Sequence, residues 1–370
     1  MRPKLRDRFR GCLLGGAVGD ALGAPVEFYT RDEILAQFGP QGISGYAAAY
    51  GGIGTITDDT QMTMFTAEGL LRCWVRGCLK GLTTHTGVTA NAYLRWLRTQ
   101  GETTQHGVGV GQPFEDDAPA GWLYQQHQLH ARRAPGNTCV SALQQMRGLS
   151  QPADNNSKGC GGVMRVAPVG LFVLRLPSRS LREAFDVGVD LAALTHGHPT
   201  GTLSAGFFAG LVYLLAQGVS LIDALPAAKW ILHEIDGHGE TLMAVEAAEA
   251  AAQSGGNRSD AIAELGKGWV ADEALSIALY CALTAQSFAD GVVAGVNHDG
   301  DSDSTGSMAG NLLGAIHGAS AIGDEWLTPL ELRAVITELA DDLYEYPRWH
   351  LSEYDPDEET ERIWHKYPGY

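Results

Sequence analysis

The sequence predicts an all-α fold, a compact orthogonal multi-helix bundle built as a single domain over residues 1–370. Three observations carry this. Apolar residues recur at i, i+3, i+4 and i+7 in ten separate segments, the period of a helix with one buried face. Only two short stretches read as strands, and no β–α alternation is present, which excludes a doubly wound sheet. Two ladders of glycine repeat every fourth residue, a spacing that lays one bare stripe along a helix.

The helical segments, in chain order, are 10–23, 60–76, 90–98, 181–194, 200–217, 221–234, 241–253, 272–285, 307–319 and 328–344. Gly77, Gly218 and Gly255 stand where helix C-caps belong. The strand-like stretches, 169–174 and 291–297, are too short to seed a sheet. Residues 101–136 are irregular but contain Phe114, Trp122 and Tyr124, so they read as an ordered surface excursion. The tail from Tyr344 holds five Tyr and two Trp, which predicts that it docks on the body.

The 47 glycines need a local explanation. Gly11, Gly15, Gly19 and Gly23 form the first ladder, and Gly306, Gly310, Gly314 and Gly318 the second. A glycine inside a helix costs about 1 kcal/mol relative to Ala. Two ladders persist only if close helix packing compensates, which places these helices at the centre of the bundle.

A hydrophobic content of 45% supports a sizeable core. The net charge of -17 argues against a nucleic-acid partner, since such proteins need a basic face to displace counterions. The six cysteines show no C-x-x-C pair, the N-terminus lacks a signal-peptide apolar run, and no stretch approaches the ~18 apolar residues of a membrane span. These features predict a cytoplasmic protein with no membrane partner.

Two acidic clusters stand out. Thr57, Asp58 and Asp59 open the 60–76 helix, where hydroxyl and carboxylate side chains serve as ordinary N-caps. Asp299, Asp301 and Asp303 alternate at the start of another helix, and capping needs only one such side chain. Like charges at this spacing repel unless a cation or proton intervenes. All-oxygen donors select hard ions such as Mg²⁺ or Mn²⁺. An EF-hand is excluded, because the twelfth loop position counted from Asp299 is Gly310 and not Glu. The stretch Asp301-Ser302-Asp303-Ser304-Thr305 also resembles the D-x-D-x-T signature of haloacid-dehalogenase-type phosphatases, but that motif belongs after the first strand of a parallel sheet.

With these residues in view, the chain resembles the ADP-ribosylglycohydrolase family, which includes dinitrogenase reductase-activating and ADP-ribosylarginine-hydrolysing enzymes. The resemblance spans nearly the whole chain. It rests on residues 8–23 (RFRGCLLGGAVGDALG), 57–62 (TDDTQM), 133–139 (RAPGNTC), 157–168 (SKGCGGVMRVAP), Thr195-His196 and 300–306 (GDSDSTG). It implies a dinuclear site in a central cleft, with two Mg²⁺ or Mn²⁺ ions held by Thr57, Asp58, Asp59, Asp301, Asp303 and Ser304. Glu27 matches a family glutamate near the scissile bond, and Asp58, Asp59 and Glu27 are the implied acid–base residues. The segment Asn156, Ser157, Lys158, Gly159, Cys160 and Gly161 matches the loop that cradles the diphosphate. His196 matches a substrate-contacting histidine.

The implied reaction is removal of ADP-ribose from a protein side chain. Arginine-directed members tend to carry Gly-Cys-Gly at the position of Cys160, whereas serine-directed members tend to carry Asn. The implied partners are an ADP-ribosylated protein and ADP-ribose, with the enzyme acting as a monomer. The competing expectation is an immunity or binding protein that sequesters ADP-ribose or an ADP-ribosylating toxin without turnover.

Overall fold

A computed structural model describes residues 3–108 and 121–369. Seventeen α-helices form among the described residues. The first eight are α1 (Leu5–Gly23), α2 (Arg31–Phe38), α3 (Asp58–Lys80), α4 (His85–Thr99), α5 (Asn137–Gln145), α6 (Ala167–Arg175), α7 (Leu181–Ala193) and α8 (Pro199–Gln217). Then come α9 (Leu221–His233), α10 (Gly239–Ser254), α11 (Arg258–Leu265), α12 (Ala271–Thr284) and α13 (Phe288–Val296). The chain closes with α14 (Ser302–His317), α15 (Asp324–Leu327), α16 (Arg333–Glu345) and α17 (Glu358–Lys366). The described β-structure is one hairpin of two-residue strands, Ala48–Ala49 and Gly52–Ile53, and an isolated antiparallel bridge between Gly159 and Val270. The fold is all-α, and there is no parallel sheet among the described residues to carry a phosphatase D-x-D-x-T site.

All ten predicted helices form, with shifted ends. The two strand-like stretches are helices instead, α6 and α13. A short apolar run fits a buried helix as well as a strand, and periodicity alone does not separate them. Gly77 lies inside α3, which ends at Gly81 in a left-handed conformation, whereas Gly218 and Gly255 do sit at C-caps. The helix expected from residue 307 starts at Ser302, so Asp303 and Ser304 occupy its first turn. Helix α2 was not foreseen, although Thr30 and Glu33 make a reciprocal capping box.

The glycine ladders explain the centre of the molecule. Helices α1 and α14 run antiparallel with their bare stripes face to face. A Cβ built on Gly15 would lie 2.3 Å from the Gly310 carbonyl oxygen, and one on Gly19 only 1.9 Å from that of Gly306. The last residue of the second ladder, Gly318, is the C-cap of α14 with φ +79°, and it still packs on α1, since a Cβ on Gly11 would lie 2.6 Å from the Gly318 carbonyl carbon. The zipper brings the C-terminal end of α1 to the N-terminal end of α14, where a Cβ on Gly23 would lie 2.5 Å from the Asp303 Cα. The first residues after α1 and the acidic turn of α14 therefore share one place.

Helix α8 has the length and hydropathy of a membrane span, but 83% of that window is buried inside the protein, as in a core helix. Within the irregular segment, Phe114 lies outside the described residues. Trp122 packs edge-on to Tyr367 at 6.3 Å, and Lys366 lies 4.3 Å over the Trp122 ring. Tyr346 and Tyr367 are fully buried, so the tail docks as predicted.

Candidate active site

The site is assembled at two helix N-termini and one loop. Thr57 is the N-cap of α3, its Oγ1 accepting from the Asp59 N–H at 3.3 Å. Asp20, in the last turn of α1, anchors this turn: both its oxygens accept from the Thr57 N–H at 3.0 Å, and Oδ2 also accepts from the Thr60 N–H at 3.0 Å. Arg133 holds the preceding strand of chain, donating to the Ile56 carbonyl at 2.8 Å and pairing with Glu331. On α14, Asp301 is the N-cap, and Asp303 and Ser304 follow in the first turn. Glu27 comes from the loop after α1.

These groups face a cleft of about 560 Å³. Its walls include Glu27, Asp58, Asp59, Asp301, Asp303 and Ser304, together with Gly159, Cys160, Gly161 and His196. One ligand oxygen from each of Glu27, Asp301 and Asp303 falls within a mutual 4.8 Å. Thr57 lies just behind this surface. Of the expected diphosphate loop, Asn156, Ser157 and Lys158 do not line the cleft. The Asn156 side chain is exposed, Ser157 Oγ lies 3.0 Å from Thr138 Oγ1, and the Lys158 ammonium pairs with Glu240 at 2.9 Å. Only the glycine turn itself faces inward.

Asp299 is not in the cluster. Its Oδ1 accepts from the Arg31 N–H at 2.7 Å and its other oxygen faces Lys267 at 3.6 Å. The alternation of three acids thus resolves into one residue that caps α2 and two that enter the cleft. Asp20 is not among the residues singled out above, and its signal in the sequence is a lone acid inside a glycine ladder. Nor are Phe28 and Trp269, an exposed stacked pair on the cleft wall with centroids 5.9 Å apart. Helix α5 was missed too, although its N-terminal Gly136 N–H donates to Asp58 Oδ2 at 3.2 Å.

The electrostatics ask for cations. Burial, then repulsion from Asp303, raises the carboxyls of Asp58, Asp59 and Asp301 well above the usual range. The same causes push Glu27 up to about 11, and Asp303 itself is raised by burial. Glu27 Oε2 and Asp59 Oδ1 are buried with no hydrogen-bond partner among the described residues. Buried oxygens without donors are costly unless protonated or bound to a positive ion. The oxygen-only acids, two of them orphaned, fit hard divalent ions.

A family model described as ADP-ribosylglycohydrolase matches residues 1–351. The chain belongs to the ADP-ribosylglycohydrolase family. It is 25% identical, over 90% of its length and 92% of the relative's, to the ADP-ribosyl-[dinitrogen reductase] glycohydrolase of Rhodospirillum rubrum. It is 27% identical to ADP-ribosylarginine hydrolase Tri1 of Pseudomonas putida, covering 92% of this chain and 78% of that one. A solved structure titled ADP-ribosylglycohydrolase-related protein complex superposes with a TM-score of 0.65 at 25% identity, covering 92% and 98% of the two chains. As an ADP-ribosylglycohydrolase, this protein is an enzyme that hydrolyses ADP-ribosyl linkages.

Proposed function

We propose that this enzyme releases ADP-ribose from arginine side chains of modified proteins, using two Mg²⁺ or Mn²⁺ ions. The observation that carries the reading is the buried cluster of acids, with Glu27 Oε2 and Asp59 Oδ1 left without donors, facing the glycine turn across one cleft. Asp301, Asp303 and Ser304 from α14, with Thr57, Asp58 and Asp59 from α3, are the residues that would hold the ions. When bound, such ions neutralise the cluster, orient sugar hydroxyls and acidify water.

The chain's own residues supply the rest. Asp59 Oδ1 accepts no hydrogen bond from the described residues, which suits Asp59 to take a proton from the attacking water, with Asp58, whose Oδ2 accepts from the Gly136 N–H, as the alternative. The water oxygen joins the anomeric carbon, the bond to the guanidino nitrogen breaks, and a proton ends on that nitrogen. Glu27 adjoins the exposed Phe28 at the cleft wall and is the acid placed to meet the leaving side chain. Positive charge develops on the anomeric carbon and ring oxygen as the bond opens. The glycine turn suits the diphosphate, since glycine lets backbone N–H groups approach anion oxygens.

The arginine linkage is supported by Cys160 in a Gly-Cys-Gly turn and by the likeness to an ADP-ribosylarginine hydrolase. The intact acid set favours turnover over sequestration of ADP-ribose or a toxin. All six cysteines are free, which suits a reducing cytoplasm as the setting. The test is a panel of arginine-, serine- and nucleic-acid-linked ADP-ribose, each incubated with Mg²⁺, Mn²⁺ or chelator. Release from the arginine conjugate with either ion, and none with chelator, is the expected result. Preferential release from the serine or nucleic-acid conjugate refutes the linkage.

A further inference from the structure

His196 lines the cleft, and the protein uses only one of its ring nitrogens. Nδ1 lies 2.8 Å from Thr195 Oγ1, while Nε2 has no hydrogen-bond partner among the described residues. Nε2 sits beneath the glycine turn, 3.4 Å from where a Cβ on Gly159 would stand and 3.6 Å from one on Gly161.

Behind Thr195 is Arg165, fully buried. One terminal nitrogen donates to Thr195 Oγ1 at 2.6 Å and to the Leu191 carbonyl at 3.1 Å. The other faces Cys139 Sγ at 3.4 Å and Met62 Sδ at 3.7 Å, and the guanidinium lies 4.3 Å over the Tyr93 ring. No carboxylate pairs with Arg165 among the described residues. A buried cation normally has an acid partner, so this one asks for another reason to be retained.

The direction of each bond follows from the groups. A guanidinium only donates, so Thr195 Oγ1 accepts from Arg165. Besides the weakly accepting sulfur of Cys139, the hydroxyl proton then has two oxygen or nitrogen acceptors within reach, the Ala192 carbonyl at 3.4 Å and His196 Nδ1 at 2.8 Å. The first is at the limit of hydrogen bonding and the second near its optimum. A hydroxyl proton directed at Nδ1 leaves that nitrogen bare, and a neutral ring then carries its proton on Nε2. Burial, then the charge on Arg165, lowers the imidazole to about 3, so the ring stays neutral.

We infer that Arg165 is a positioning residue that, through the Thr195 hydroxyl, locks His196 as the Nε2–H tautomer. The lock presents one fixed donor, backed by a buried positive charge, to an acceptor oxygen of the phosphate-bearing substrate at the glycine turn. The identity of that acceptor rests on the proposed function, but the tautomer does not.

The test is ¹⁵N NMR of histidine-labelled enzyme, which distinguishes protonated from bare ring nitrogens, alongside calorimetric titration with ADP-ribose. Thr195→Val removes the hydroxyl at similar shape, and Thr195→Ser keeps it. Wild type is expected to carry the proton on Nε2. Thr195→Val is expected to mix the two tautomers and bind ADP-ribose about tenfold more weakly, a loss of ~1.4 kcal/mol. Thr195→Ser should match wild type in both readouts. A wild-type proton on Nδ1, or an unchanged tautomer in Thr195→Val, overturns the lock. A changed tautomer with unchanged ADP-ribose affinity overturns the donor role. Wild type with the expected tautomer but no ADP-ribose binding refutes the proposed substrate and leaves the lock standing.

Discussion

Gly19 on α1 and Gly306 on α14 meet so closely that a methyl group on Gly19 would lie 1.9 Å from the Gly306 carbonyl oxygen. No real Cβ tolerates that distance, and the obstacle is backbone, so the helices themselves must part. Gly19→Ala should therefore cost at least about 3 kcal/mol, at the upper end of overpacking penalties. Gly45, with nothing within 4 Å of its missing Cβ and no left-handed φ, is the control. Gly45→Ala should leave the denaturation midpoint nearly unchanged. Chemical denaturation of both variants compares them directly, and equal midpoints would contradict the zipper.

Asp20 couples that zipper to the site, because its carboxylate accepts the N–H groups of Thr57 and Thr60 while its helix packs on α14. Groups that orient metal-ligating residues typically contribute 10–100-fold in affinity. Asp20→Asn should weaken Mg²⁺ binding by about that factor, with the helical circular-dichroism signal retained. Calorimetric titration with Mg²⁺ measures it. An unchanged affinity would show that Asp20 serves α3 alone.

The fold was largely legible in the sequence, because helical periodicity and glycine spacing are local signals. The α1–α14 zipper could be anticipated from the i+4 ladders. Helices α6 and α13 were misread because nine-residue apolar helices carry too few turns to show their period. The acids that enter the cleft were legible, but Asp299 was not separable from Asp301 and Asp303, since alternation along the chain does not say which carboxylate turns outward. The supports of the site, Asp20, Gly136 and Arg165, were hidden because their partners are distant in sequence.

Without divalent ions, the folded protein holds protons that the unfolded chain would release. Asp20 is raised to about 7 by burial and Asp303, and Asp58, Asp59 and Asp301 are raised well above the ordinary range. The stability they contribute is fully present below the unfolded value of about 4 and is lost as pH rises through the folded values. Chelated protein should therefore melt at lower temperature near about pH 8 than near about pH 5. Mg²⁺ should raise the melting temperature more at the higher pH. Scanning fluorimetry at both pH values checks the sign, and a chelated protein that is more stable at the higher pH would refute it.

Away from the cleft, Glu68 is completely buried between two guanidiniums, Arg72 at 2.9 Å and Arg95 at 3.0 Å. Their charges hold its carboxyl below the usual range against the opposing effect of burial. Breaking a buried ion network by removing one partner costs about 3–5 kcal/mol. Glu68→Gln should lower the denaturation midpoint accordingly without changing the affinity for Mg²⁺. A loss below about 1 kcal/mol, the range of exposed pairs, would mean that water reaches the triad.

The acids on α3 and α14 are proposed to hold divalent ions without which ADP-ribose is not released. The most direct measurement is the release of free ADP-ribose from arginine-modified protein, quantified by chromatography. Wild type would be assayed after chelation and after return of Mg²⁺, beside Asp58→Ala and Asp303→Ala. Release should vanish on chelation, return with Mg²⁺ in wild type, and stay at least about a hundredfold lower in either variant, the order of a lost transition-state contact. Wild-type release by Asp58→Ala and Asp303→Ala in Mg²⁺, or by the chelated enzyme, would show that these acids do not act through bound ions.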